Sequence, residues 1–360
     1  MSLVQAVKRL LLGRIVSLFW CLAWLLWTVK AFAISVSLTS SPPPDTIRPD
    51  HDMAQVTLAV QHDGQPLHQG RVQVKVMAPP HPRLLSTDFP IVEATTLLEL
   101  ASDLRDGKFS FDYLFPIRGQ YTFDVALQPV AGSTAFAPTA MQMPWQIHET
   151  PSEIRNAWFL VVGLFILGGV FGVILARSAQ AKSALLLTVV LVSTAVGMRA
   201  EGDVHAPAHP AETRHVVRGE HGWALQVDAT PAYGTVGKEV QFDVVLTKDG
   251  EVSAEATELA LELHHIEDDK PIFKTNILVP QGETSQRLQF FDGAPHRVMI
   301  TAQPVDRDRA GEPPLQAVFD MEVNAIHPPT AVKLRTMALF LGVLTIGMVV
   351  GWFCPVGRRE

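Results

Sequence analysis

Only two cysteines occur in the chain, Cys21 and Cys354, and each lies in or beside an apolar run. The polar regions therefore have no thiol, which excludes a disulfide framework, a cysteine metal knuckle and a thiol nucleophile there. Gly-x-Ser-x-Gly, His-Glu-x-x-His and a phosphate-cradling glycine loop are also missing. Nucleophile-elbow hydrolysis, zincin chemistry and P-loop chemistry thus lack their usual starting points. Carboxylates are plentiful but scattered, and the expectation is a protein that is not an enzyme. An excess of positive charge is absent as well: residues 34–155 hold 13 acidic and 8 basic side chains, and residues 200–330 hold 22 and 10. Such surfaces repel a phosphate backbone, so no nucleic-acid partner is expected.

Uninterrupted apolar sequence is what the chain has in abundance, in four blocks. Residues 1–33 carry Lys8, Arg9 and Arg14, then an apolar run, then Ala31 and Ala33. This fits a cleaved signal peptide or a retained anchor, and the residues leave both open. Trp20 before Cys21 does not suit a lipobox. Residues 157–176 are long enough to span a bilayer, 183–198 are shorter, and 336–354 end before Arg358 and Arg359 as a stop-transfer segment would. No Asp, Glu, Lys, Arg or His lies inside the last three blocks, which argues against a channel or transporter. With Lys8/Arg9/Arg14, Arg177/Lys182 and Arg358/Arg359 on the cytoplasmic face, both acidic regions fall outside a multi-pass cytoplasmic (inner) membrane protein, on the periplasmic side. Gly168-x-x-x-Gly172 and Gly347-x-x-x-Gly351 would let two helices approach closely.

The polar regions read as β-structure. Val56–Val60 and Val72–Val76 alternate around the Asp63-Gly64 turn, a hairpin signature, and Phe109–Tyr113 and Tyr121–Val125 give two further strands. Leu97–Leu104 has no clean period and suits either a strand or one helical turn. The second region repeats the order with Val240–Leu246, Asp249-Gly250 and Leu259–Leu263. Phe290–Val305 lines up with Phe115–Val130, and Gln-Pro-Val is shared at 128–130 and 303–305. An internal duplication follows. The expected fold is all-β extracytoplasmic domains plus transmembrane helices: two immunoglobulin-like antiparallel β-sandwiches, 34–155 and 223–330, with three to four membrane helices. A His/Pro-rich linker is expected over 200–222.

The stretch Tyr233-Gly-Thr-Val-Gly237 through Asp249-Gly250 resembles the YtkA-like and FixH-like group of membrane-anchored extracytoplasmic domains. The resemblance implies an accessory role near metal transport or metalloprotein assembly, although the methionine-rich stretch of that group is missing here. All 13 histidines lie in the polar regions. His205, His209, His215 and His221 form the candidate metal site, with Cu, Zn or Ni as ions imidazole would hold. Solvated histidines in a proline-rich linker explain the same letters. His264, His265, His296 and the pair Met141 and Met143 are lesser candidates, Met141 and Met143 being as well suited to packing near Trp145. The expected partners are the lipid bilayer and a membrane or periplasmic protein docked on the outer domains, and the alternative is an envelope-assembly component with no metal role.

Overall fold

A computed structural model describes residues 34–82, 87–130, 136–177, 213–305 and 313–353. The block 1–33 and the third apolar block, 183–198, lie outside the described residues. The first half contains β1 (Ile34–Ser41), β2 (Met53–His62), β3 (Gln65–Pro66), β4 (Arg71–Met77), β5 (Thr96–Asp103), β6 (Lys108–Leu114), β7 (Gly119–Gln128), β8 (Thr139–Ile147) and helix α1 (Pro151–Arg177). The second contains β9 (Thr213–Arg218), β10 (Trp223–Thr230), β11 (Gly234–Thr235), β12 (Glu239–Lys248), β13 (Glu251–Val252), β14 (Thr257–His265), β15 (Lys270–Val279), β16 (Glu283–Gln289), β17 (His296–Pro304), β18 (Leu315–Met321), β19 (Val323–Asn324) and helix α2 (Thr330–Phe353).

Side-chain alternation makes these strands. In β2 the residues Ala54, Val56, Leu58 and Val60 are buried, and in β12 Val240, Phe242, Val244 and Leu246 are. Every second side chain faces the core while the intervening ones face water. Asp63-Gly64 and Asp249-Gly250 both take positive φ, which closes tight hairpins from β2 to β3 and from β12 to β13. The 56–60 and 72–76 segments are thus not partners of one hairpin. β4 leaves for the other layer and pairs with β5 and β7, because its inward face must meet the inward face of β2 to bury both.

Within each half the main ladders are antiparallel and fall into two sheets, β1-β2-β6 against β8-β7-β4-β5, and β9-β10-β12-β16 against β15-β14-β17-β18, while β11 and β19 form a short parallel pair apart from them. Their facing apolar residues make a sandwich-like core. The halves then join edge to edge. β6 pairs with β15 through Tyr113–Phe273, Asp112–Lys274 and Phe111–Thr275, and β5 pairs with β16 through Glu99–Arg287 and Leu98–Leu288. Each sheet of one half thereby continues into a sheet of the other, and the single bridge Asp103–Leu278 links the two layers. Four edge strands are removed from solvent in this way.

Both halves present the same end to the helices. β8 runs into α1 at Pro151, and β18 and β19 run into α2 at Thr330. The helices have 27 and 24 residues, about 40 and 36 Å at 1.5 Å per residue, against a hydrocarbon core of about 30 Å. Both are long and apolar enough to cross a membrane. Trp158, Phe159 and Phe353 stand well exposed on their outer surfaces.

Candidate functional site

Between α1 and α2 the side chains vanish. A Cβ built on Gly168 would overlap the carbonyl oxygen of Leu344, and one on Gly172 that of Met348. Reciprocally, a Cβ on Gly347 would overlap the carbonyl of Phe165 and one on Gly351 that of Gly169. The partner number rises with the residue number along both helices, so the pair is parallel. All four glycines singled out in the sequence meet at one seam, where only glycine permits backbone contact.

The histidines are dispersed. His205 and His209 lie outside the described residues. His215 is not in a linker: β9 begins at Thr213, and the imidazole stacks on Phe319 with ring centroids 4.0 Å apart. Burial pushes its pKa below the usual imidazole value, against the pull of Asp228. His221 is exposed in the turn before β10, at positive φ. Among the described residues no group of three His, Cys, Asp or Glu side chains converges to hold a metal ion. Met141 and Met143 sit half-buried on the face of β8 that carries Trp145, whose ring meets Phe123 edge-on.

His265 and His296 do come together, at the end nearest the helices. Unbroken alternation along β14 turns His265 inward with Leu261 and Leu263, and its ring meets His296 at 5.1 Å and 83°. His265 Nδ1 accepts the Asp268 backbone N–H at 3.1 Å, and its Nε2 lies 3.3 Å from Asp292 Oδ2. His296 is fully buried, donates from Nδ1 to the Ala294 carbonyl at 2.7 Å, and leans on Phe290. Burial is the main cause that drives its pKa down to about 4; the Ala294 bond and Asp292 oppose the shift, and His265 adds to it. A neutral imidazole held this way fills core space and satisfies a carbonyl.

The joint between β8 and α1 carries a second displaced group. Arg118 pairs with Glu149, just ahead of the helix. Burial first, then the Glu153 carboxyl, raises the Glu149 pKa to about 7, with Arg118 working the other way. The folded carboxyl therefore holds its proton to about pH 7, while the unfolded one releases it near 4.5. Stability is expected to fall as pH rises through that window, and Glu149→Gln to flatten the slope. Thermal melts of the detergent-solubilised protein between pH 5 and pH 8 check this.

Neither the edge-to-edge seam nor a cleft at the remote end of the second half carries a signal in the sequence. The Gln286 side chain bonds both the N–H and the C=O of Ala101, at 2.9 and 3.0 Å. Ser102 Oγ accepts the Leu278 N–H, Thr275 donates to the Ser110 carbonyl, and Arg287 binds Glu99 at 3.0 Å. The cleft, about 400 Å³, opens between the two sheets beside Trp223, Leu246, Pro304 and Leu315, with Arg218 and Glu220 at its rim.

No family model matches the chain, and no curated protein does. Among solved structures, the trypsin-activated alpha-2-macroglobulin of Escherichia coli is 11% identical over 81% of this chain and 16% of that one, with a TM-score of 0.23. A DUF4785 family protein of Legionella pneumophila is 9% identical over 82% of this chain and 58% of that one, at 0.23. A conjugative transposon lipoprotein of Bacteroides eggerthii is 12% identical, with 31% of this chain and 98% of that one covered, at 0.20. The chain spans a small part of the macroglobulin, and likenesses this distant carry no argument about function.

Proposed function

We propose that this chain is a non-enzymatic, multi-pass membrane protein that holds two immunoglobulin-like sandwiches outside the cytoplasmic membrane as one rigid docking body. The parallel glycine seam carries the reading. Both helices leave the sandwiches from the same end and run the same way, so the chain has to return between Arg177 and Thr213. The apolar block 183–198 lies in that stretch, which supports three crossings, and Arg177 at the far end of α1 supports a cytoplasmic far side. β1 supports release of the signal. Ile34 stands opposite His62, at the end remote from α1 and α2. Eight residues of β1 separate it from their end, about 26 Å, whereas the four residues after Val29 reach about 14 Å.

The immunoglobulin-like and duplicated character has its own support. The Tyr121 hydroxyl, at the start of β7, donates to the Ile117 carbonyl and accepts the Ile117 N–H, which is the geometry of a tyrosine corner. Shifted by 175 positions, Tyr121 falls on His296, Phe115 on Phe290 and Gly107 on Gly282. The ring contacts Phe115–Tyr121 and Phe290–His296 correspond, and so do the turn bonds Val60 N–H to Gly107 and Leu246 N–H to Gly282. His296 thus stands where a corner tyrosine stands in the first half.

Docking would use the outer edge strands and the remote cleft, where Val216 on β9 and Val318 on β18 are exposed. The test is site-specific photocrosslinking in native membranes from Gln316 at the cleft and from Ser110 at the inner seam. A discrete adduct from Gln316 alone is expected; adducts from neither or from both would contradict docking at the cleft. The resemblance to YtkA-like and FixH-like domains belongs to the metal-handling version of this proposal. The metal-free version is favoured by His215, which is withdrawn onto Phe319. Calorimetric titration of the full-length protein with Cu(II), Zn(II) and Ni(II) separates them. Stoichiometric submicromolar binding lost in the His205→Ala/His209→Ala variant would establish metal handling, and weak non-stoichiometric binding the metal-free role.

A further inference from the structure

We infer that the seam between the halves is an isologous dimer interface now held in one chain, and that its charges admit only unlike halves. The inference rests on the duplication proposed above. A shift of 175 positions carries β5 onto β15 and β6 onto β16, so Leu98 becomes Phe273, Glu99 becomes Lys274, Asp112 becomes Arg287 and Tyr113 becomes Leu288. Two of the three β6–β15 pairs obey this exchange. Tyr113–Phe273 maps onto Leu288–Leu98, and Asp112–Lys274 maps onto Arg287–Glu99. Asp103 maps onto its own partner, Leu278, which places the local two-fold axis at that bridge.

The helices follow the same axis. With a shift of 179 positions Gly168 falls on Gly347, Gly172 on Gly351, Phe165 on Leu344 and Gly169 on Met348. The approach of Gly168 to the Leu344 carbonyl then has its counterpart in Gly347 on Phe165, and Gly172 on Met348 in Gly351 on Gly169. Sheets and helices are therefore two copies of one self-complementary unit, the arrangement that closed two-fold symmetry demands.

Charge breaks the symmetry in a useful direction. The first half offers an acid at both seam positions, Glu99 and Asp112, and the second a base at both, Lys274 and Arg287. Two unlike halves make two opposite-charge pairs: Arg287–Glu99 closes to 3.0 Å, and Lys274, held by Glu262 of its own half at 2.7 Å, is drawn more weakly to Asp112. Two first halves would set Glu99 against Asp112 twice, and two second halves Lys274 against Arg287 twice. Like charges directly opposite across strands destabilise, so pairing between like halves of neighbouring chains is disfavoured while the internal pair forms.

The experiment uses the full-length chain with Cys21 and Cys354 replaced by serine and the axis pair Asp103→Cys and Leu278→Cys added. Facing Cα atoms in an antiparallel ladder lie within disulfide reach. An intramolecular disulfide is expected to form in membranes. Adding Lys274→Glu and Arg287→Glu, which sets acid against acid, is expected to slow it by about tenfold. Adding Glu99→Lys and Asp112→Lys as well should restore the rate. If no disulfide forms with the native charges, the two-fold seam and the duplication reading fall together. If the disulfide forms equally fast in every charge variant, the duplication stands and the charge selectivity is overturned.

Discussion

Replacing Gly172 with leucine is expected to pull α1 away from α2 and to cost about 2 kcal/mol. The reason is local. At Gly172 even a Cβ would overlap the Met348 carbonyl oxygen and crowd the Trp352 amide nitrogen, and backbone atoms, unlike a flexible side chain, cannot swing aside. The helices would separate along the two turns that hold Gly168, Gly172, Gly347 and Gly351, losing dispersion contacts that lipid replaces only in part. Gly163 supplies the control, since a Cβ there meets nothing within 4 Å. Gly163→Leu is expected to change stability by less than about 0.5 kcal/mol, as ordinary surface substitutions do. Unfolding of the purified protein titrated with denaturing detergent measures both. Equal effects of the two substitutions would deny the seam.

Acid is expected to loosen the second half through His296. An imidazole with a folded pKa of about 4 against 6.5 unfolded binds fewer protons in the folded state, so stability is full above pH 6.5 and drains as pH falls through 4. The shift corresponds to about 3 kcal/mol, an order-of-magnitude figure for a group that is fully buried. His265 packs on the same ring, and Asp292 and Asp268 flank the pair, so charging His296 would set it beside both a second imidazole and two carboxylates. His296→Phe, which keeps an aromatic ring in the slot, is expected to lower stability at pH 7 by about 1 kcal/mol for the lost Ala294 bond and to remove most of the slope between pH 6.5 and 4. Melts monitored by tryptophan fluorescence across that range would show it. A slope unchanged in the variant would assign acid sensitivity elsewhere.

The sequence made some of this architecture legible, and the reasons are specific. Strands with one wet face, such as β2, β4, β6, β7, β12 and β14, alternate cleanly, and apolar runs marked α1 and α2. β5 did not alternate because the ladder to β4 skips Leu97, a bulge that lets Leu97 and Leu98 both turn inward. β15 hides in the same way behind Ile272 and Phe273. A β-bulge inserts one residue and resets the period of two, so alternation fails within the strand that carries it. β9 was concealed by its proline-rich surroundings. The Gly-x-x-x-Gly pairs were visible as spacing, and their meeting required the parallel direction of the helices. His296 carried no local signal of its burial, which comes from His265 and Phe290 packing on its ring.

Both sandwiches are expected on one outer face of a membrane crossed by α1 and α2. Single cysteines at Asp63 and Asp249, in the matching turns of the two halves at the end remote from the helices, test it most directly in a Cys21→Ser/Cys354→Ser background. Sealed right-side-out membrane vesicles are treated with an impermeant thiol reagent, with and without detergent. Full labelling of both positions before detergent is the predicted result. Labelling of either position only after the membrane is opened would contradict it.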